Sequence, residues 1–159
     1  MIEIFTTGGT IDKVYFDALS EFQIGPAAIP DLLRENNVHV PHRVTQLMRK
    51  DSLELTDTDR QTIRAAVLAA PNDLVVITHG TDTMTDTGRV LADIPQKTIV
   101  LTGALSPARF AETDAMFNLG MAFATVQTSA PGVYITMNGT VFDATRVHKD
   151  RSRNAFIAD

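Results

Sequence analysis

The chain has no cysteine among its 159 residues, and no run of Lys and Arg exceeds the dipeptide Arg49-Lys50. Without cysteine the fold can hold neither disulfides nor thiolate metal ligands, and nothing marks an oxidising compartment. A formal net charge of -5 with no basic stretch leaves no surface for neutralising phosphates, so nucleic acid is not an expected partner. No apolar run approaches the roughly 20 residues needed to span a bilayer, and Met1-Ile2-Glu3-Ile4-Phe5 lacks the basic and long apolar regions of a leader. The expectation is a soluble cytoplasmic protein that makes no membrane contact. The patterns G-x-G-x-x-G and G-x-x-x-x-G-K-[ST] are missing too, which speaks against a nucleotide cofactor. His39, His42, His79 and His148 do not have metal-ligand spacing; they are expected to be surface or loop groups, with no metal and no cofactor implied.

What is present is a 44% hydrophobic composition, enough for one domain with a sizeable core. Ile2 to Thr6 reads as a short apolar strand that ends in Gly8-Gly9, a pair suited to a tight turn. After a polar stretch, Ala27 to Asn37 carries Ile29, Leu32 and Leu33 at helical spacing, and Val38 to Met48 reads as extended. Thr56-Asp57-Thr58-Asp59 offers N-cap oxygens to a helix whose Ile63, Ala66, Val67 and Ala70 form one stripe before Pro71. Leu74 to Ile77 is a continuous apolar run, the mark of a parallel strand covered on both faces. A helix from about Thr83 to Asp93 and a strand Thr98 to Leu101 follow. Thr113 or Asp114 can cap a further helix with Met116, Leu119, Phe123 and Val126 on one face, and Gly132 to Met137 makes a fifth strand. The tail from Asn138 to Asp159 is expected to be a strand pair with a frayed terminus.

This alternation predicts an α/β fold: a single doubly wound, mostly parallel sheet with helices on both faces, a Rossmann-like or flavodoxin-like three-layer sandwich. Such sheets bind ligands at the carboxyl ends of their strands. The polar loops fall at those ends. Six threonines and three glycines gather in Thr6-Thr7-Gly8-Gly9-Thr10 and in the segment His79 to Thr85. A threonine hydroxyl needs a neighbouring base to act as a nucleophile, and a tetrahedral oxyanion needs N–H donors of the kind that glycine-rich turns supply.

Taken together the segments resemble the bacterial-type L-asparaginase family, which also includes the amidase subunit of tRNA-dependent amidation. The residues that carry the resemblance are Thr7-Gly8-Gly9-Thr10-Ile11, His79-Gly80-Thr81-Asp82-Thr83-Met84, Thr102-Gly103-Ala104, Asp114 with Phe117-Asn118-Leu119, and Met137-Asn138-Gly139-Thr140-Val141 with Lys149. They run through the whole chain, which matches only the N-terminal domain of the usual family member. The resemblance implies hydrolysis of L-asparagine through an acyl-enzyme, with Thr10 as nucleophile and Thr81, Asp82 and Lys149 as a second catalytic set. Which threonine attacks first stays open. A lysine takes up a hydroxyl proton only where burial destabilises its ammonium, and a paired Asp82 opposes that, so the set is expected to relay a proton.

The resemblance further implies that Ser52 holds the substrate's α-carboxylate and Asp82 its α-ammonium. Gly9 and Gly80 line the pocket, the Ala104 backbone meets the scissile amide, and the Thr81 N–H donates to the oxyanion. Tyr15 is the candidate for the family's lid tyrosine, with Ser20 or Glu21 as alternatives, because Phe22 stands where simple alignment would put that tyrosine. Leu53 replaces a family glutamine, and nothing in the sequence corresponds to the C-terminal domain from which a neighbouring subunit completes the pocket. The expectations are therefore a self-sufficient short form of residues 1–159, loose substrate binding with a high KM, and a homodimer or homotetramer. Broader amidase or glutaminase activity, or an asparagine-binding module with weak turnover, are the alternatives.

Overall fold

The computed structural model describes residues 1–159. Its strands are β1 (Ile2–Gly8), β2 (Lys13–Phe16), β3 (Glu21–Ile24), β4 (His42–Lys50), β5 (Leu74–Thr78), β6 (Thr98–Thr102), β7 (Gly132–Met137), β8 (Thr140–Asp143), β9 (Val147–Asp150) and β10 (Ala155–Ala158). The helices are α1 (Ile29–Glu35), α2 (Asp57–Ala69), α3 (Met84–Leu91) and α4 (Ala115–Thr128), and single 3-10 turns occupy Thr10–Asp12 and Ser52–Glu54. Six strands form the central sheet in the order β4-β1-β5-β6-β7-β8. The first five run parallel, and β8 returns antiparallel to β7. Without the β2–β3 hairpin this is the 2-1-3-4-5 winding of a flavodoxin-like sheet, whose switch point lies between β1 and β5.

Residue type explains the layers. Val75, Val76 and Ile77 of β5 and Ile99, Val100 and Leu101 of β6 have no solvent exposure, as continuous apolar strands sandwiched between helices require. On one face Val75, Ile77, Ile99 and Leu101 pack with Ile63 and Val67 of α2 and Met84 and Leu91 of α3. On the other, Ile4, Val76 and Val100 pack with Leu32 and Leu33 of α1 and Leu119, Ala122, Phe123 and Val126 of α4. The expected sandwich with helices on both faces is thus present. Helix α2 starts on a capping box in which the Thr56 hydroxyl accepts the Asp59 N–H and the Asp59 carboxylate accepts the Thr56 N–H. At the top of the sheet Thr6, Thr78, Thr102 and Thr136 stand in register on four adjacent strands, all fully buried.

Three regions differ from the sequence-based expectation. The polar stretch after the first strand contains the β2–β3 hairpin, which sits outside the main sheet. In the tail, β8 extends the main sheet while β9 and β10 form the pair; the end is anchored rather than frayed, because Phe156 is buried and its N–H donates to the Asn138 side chain at 2.8 Å. Met116 is exposed at the start of α4, where Ala115 and Asn118 face inward instead. The Thr113 hydroxyl accepts the Ala115 N–H there, leaving the Asp114 carboxylate for another task.

Candidate active site

Three strand ends meet at the switch point. Gly8 and Gly9 carry φ values of +99° and +90°, which β-carbon-bearing residues resist. A Cβ on Gly9 would lie 2.5 Å from the Gly80 Cα, and one on Gly80 would lie 2.6 Å from the Ser52 Cβ. The loops after β1, β4 and β5 therefore touch almost backbone to backbone. The Gly9 N–H donates to the Lys50 carbonyl at 3.0 Å, and the Thr7 hydroxyl donates to the Thr78 carbonyl at 2.9 Å. Thr10 follows at once, half-buried at the head of its 3-10 turn. Thr10 and Thr81 thus stand one residue beyond a pair of glycines in direct contact.

The second group assembles across 67 and 68 residues of sequence. From β9, the Lys149 ammonium donates to the Thr81 hydroxyl at 2.7 Å and to the Asp82 carboxylate at 2.8 Å. The lysine side chain is only 10% exposed. Thr81 and Asp82 do not cap α3, whose N-cap residue is Thr83. Ser52 is buried; its hydroxyl accepts the Asp82 N–H at 3.2 Å and its carbonyl accepts the Thr83 hydroxyl at 2.7 Å. Arg151 approaches the same Asp82 oxygen at 3.7 Å from the more exposed side. One ammonium held between a hydroxyl and a carboxylate can stabilise negative charge that develops on the hydroxyl oxygen.

Ala104 lies buried in the loop after β6. That loop is clamped from the start of α4: the carboxylate of Asp114, just before the helix, accepts the N–H groups of Leu105 and Ser106 at 3.0 Å, and the Asn118 amide within it donates to the Gly103 carbonyl at 3.0 Å. Asn118 also donates to Asp114 at 2.8 Å, which ties the two clamps together. Behind Thr10, the Asp12 carboxylate is buried and accepts the Ala28 N–H at 2.8 Å; burial raises its pKa.

His79 is not the surface or loop group the sequence suggests, because it has no exposure at all. It directly follows β5, and its N–H donates to the Thr102 carbonyl at the end of β6. Burial pushes its ring down to about pKa 4, so the imidazole is neutral near pH 7. Its Nδ1 lies 2.7 Å from the Gly80 carbonyl and its Nε2 lies 2.8 Å from the Thr87 hydroxyl.

Tyr15 sits on β2, more than half exposed, opposite Phe22 with ring centroids 5.3 Å apart. Phe22 in turn meets Phe110 at 5.6 Å. The hairpin thus carries an outward aromatic cluster, and Lys13 at its base pairs with Asp51 at 3.3 Å, beside Ser52. A cavity of about 380 Å³ opens there between Lys13, Ile24, Arg49 and Asp51. The largest cavity, about 440 Å³, lies elsewhere, between α1 and α4. Neither of these cavities is lined by Thr10, Ser52, Thr81, Asp82 or Lys149; Ser52 and Thr81 are buried and Lys149 nearly so, while Asp82 is the more open side chain of the group.

Asp12, Thr87 and the clamping roles of Asp114 and Asn118 do not stand out in the sequence. The one available signal was polar residues inside otherwise buried stretches, such as Asn118 among the inward positions of α4.

Residues 1–157 match the family model described as Asparaginase, N-terminal. The L-asparaginase of Thermococcus kodakarensis is 33% identical over 96% of this chain, which covers 49% of that protein. Its solved structure superposes with a TM-score of 0.84 at 29% identity, over 99% of this chain and 50% of its own. A glutaminase-asparaginase of Pseudomonas fluorescens is 30% identical over 93% of this chain and 45% of its own length. A probable cytoplasmic L-asparaginase of Campylobacter jejuni gives a TM-score of 0.77 at 28% identity, over 99% of this chain and 51% of its own. The chain spans about half the length of the relatives it matches. No helix is long and apolar enough to cross a membrane.

Proposed function

Since the chain belongs to the asparaginase family through that family's N-terminal domain, we propose that residues 1–159 form a catalytic unit that hydrolyses L-asparagine to L-aspartate and ammonia. The observation that supports this reading is the Lys149 ammonium, bonded at once to Thr81 and Asp82, together with the close approach of Gly9, which precedes Thr10, to Gly80, which precedes Thr81. The Thr10 oxygen attacks the side-chain amide carbon. Its proton passes to the leaving nitrogen, ammonia departs, and water then cleaves the acyl-threonine ester to give aspartate. Lys149, supported by Asp82, stabilises charge on the Thr81 oxygen during these proton transfers.

Ser52 meets the substrate's α-carboxylate and Asp82 its α-ammonium. Gly9 and Gly80 keep the floor of the site free of side chains, the Ala104 backbone contacts the amide, and the Thr81 N–H receives the oxyanion. Tyr15 closes over the substrate as the lid residue. Leu53, next to Ser52, is exposed and offers no polar contact to the substrate, so binding is loose and KM is high; a value of a few micromolar would contradict this. A cytoplasmic location, as the C. jejuni relative is described, and a homodimer or homotetramer complete the proposal.

The test is ammonia release from asparagine and glutamine side by side, with Thr10→Ala as control. Saturable release from asparagine that Thr10→Ala abolishes supports the reading; equal release from both substrates favours the broader activity in the name of the P. fluorescens relative. Saturable binding of asparagine without turnover points instead to a binding module.

A further inference from the structure

The one buried histidine next to the site makes no contact that the reaction itself requires, yet it holds a backbone group that the reaction would use. A neutral imidazole carries a single N–H. The Gly80 carbonyl, 2.7 Å from Nδ1, can only accept a hydrogen bond, so the proton is on Nδ1 and Nε2 accepts from the Thr87 hydroxyl at 2.8 Å. The ring is held from both sides, and its backbone is fixed as well: the His79 N–H donates to the Thr102 carbonyl at 2.9 Å and its carbonyl packs against Gly103.

The Gly80 carbonyl and the Thr81 N–H belong to one peptide group, and the chain has no cis peptide bond. In a trans peptide these two groups point in opposite directions. Drawing the carbonyl toward the buried ring therefore turns the N–H to the side opposite that ring, and this N–H has no acceptor within the chain. The side chain of the same Thr81 receives Lys149. We propose that His79 is a positioning residue: its Nδ1–H locks the Gly80–Thr81 peptide in the one orientation that presents the Thr81 N–H to the oxyanion, with Thr87 fixing the ring. This deepens the asparaginase reading and rests on it for the identity of the oxyanion.

Two replacements separate positioning from mere filling of space. His79→Asn places an amide N–H where Nδ1–H was, whereas His79→Gln places its amide where Nε2 was and loses the link to Gly80. A donor to an oxyanion acts in the transition state, and losing one typically costs about 10²–10³ in kcat. His79→Gln should therefore lower kcat by about a hundredfold with KM little changed, while His79→Asn stays within about tenfold of the parent. A space-filling role predicts the reverse ranking, because asparagine leaves the larger void. That ranking, or equal losses, would overturn the proposal.

The ring tautomer in the unaltered protein is read independently by 15N NMR. An Nδ1–H tautomer supports the lock, and an Nε2–H tautomer refutes it, even if both variants fail to fold. If the unaltered protein releases no ammonia from asparagine, the proposed activity falls, and the tautomer still decides whether the peptide is locked.

Discussion

Two segments border the same candidate site and are built on opposite terms. The switch-point segments, Thr6 to Asp12 and Thr78 to Thr81, are buried apart from the half-exposed Thr10, and they interlock through glycines with no room for a methyl group. The β2–β3 hairpin between Lys13 and Ile24 pairs mainly with itself and turns Tyr15, Phe16, Leu19 and Phe22 to solvent. The first region cannot adjust without opening the core; the second can move at little cost. This division suits a site whose reacting groups must be fixed while its cover must admit a substrate.

The contrast is strongest where Lys149 of β9 meets Thr81, the proposed reacting end of the rigid region. Lys149→Met should reduce kcat by about 10³ or more, a barrier increase of about 4 kcal/mol, in a steady-state ammonia assay. A loss under tenfold would deny the rigid region its chemistry. Gly9→Ala should destabilise the fold by about 3 kcal/mol, since it combines a positive φ with a collision against Gly80, and urea denaturation would read it. The pH dependence probes the same region. His79 has a folded pKa of about 4 and an unfolded value near 6.5, so between these pH values the unfolded chain takes up a proton that the native state refuses. Stability from this group is complete above about pH 6.5 and declines as pH falls to about 4, by about 3 kcal/mol in all. Denaturation midpoints across that window should fall for the parent, and the decline should be shallower for His79→Asn.

On the hairpin the expected effects shrink. Tyr15→Phe should cut kcat about tenfold, near 1.4 kcal/mol, while shifting stability by less than about 0.5 kcal/mol. An unchanged kcat would remove the lid role from that hydroxyl. Leu19→Ser, at an exposed position, should change neither kcat nor the denaturation midpoint measurably.

The same division decides what the sequence reveals. The parallel strands are legible because burial on both faces demands unbroken apolar runs such as Leu74 to Ile77, and the site region is legible because such sheets end in polar loops. The hairpin is not, since Glu21, Phe22 and Gln23 are all exposed and no buried face imposes a two-residue period. The pairing of Lys149 with Asp82 spans 67 residues, and no local pattern encodes it; only resemblance pointed there. His79 is not legible as a core residue because its polarity suggests solvent, whereas its partners, a carbonyl and a threonine on α3, satisfy it inside.

The level row formed by Thr6, Thr78, Thr102 and Thr136 has a consequence for how this chain tolerates change in length. An added or deleted residue below the row would rotate every preceding side chain of that strand to the wrong side of the sheet. The same change above it leaves the strand register intact and falls instead on the glycine contacts of Gly9 with Gly80 and of Gly80 with Ser52, so the row marks the level at which ladder pairing hands over to loop-against-loop packing.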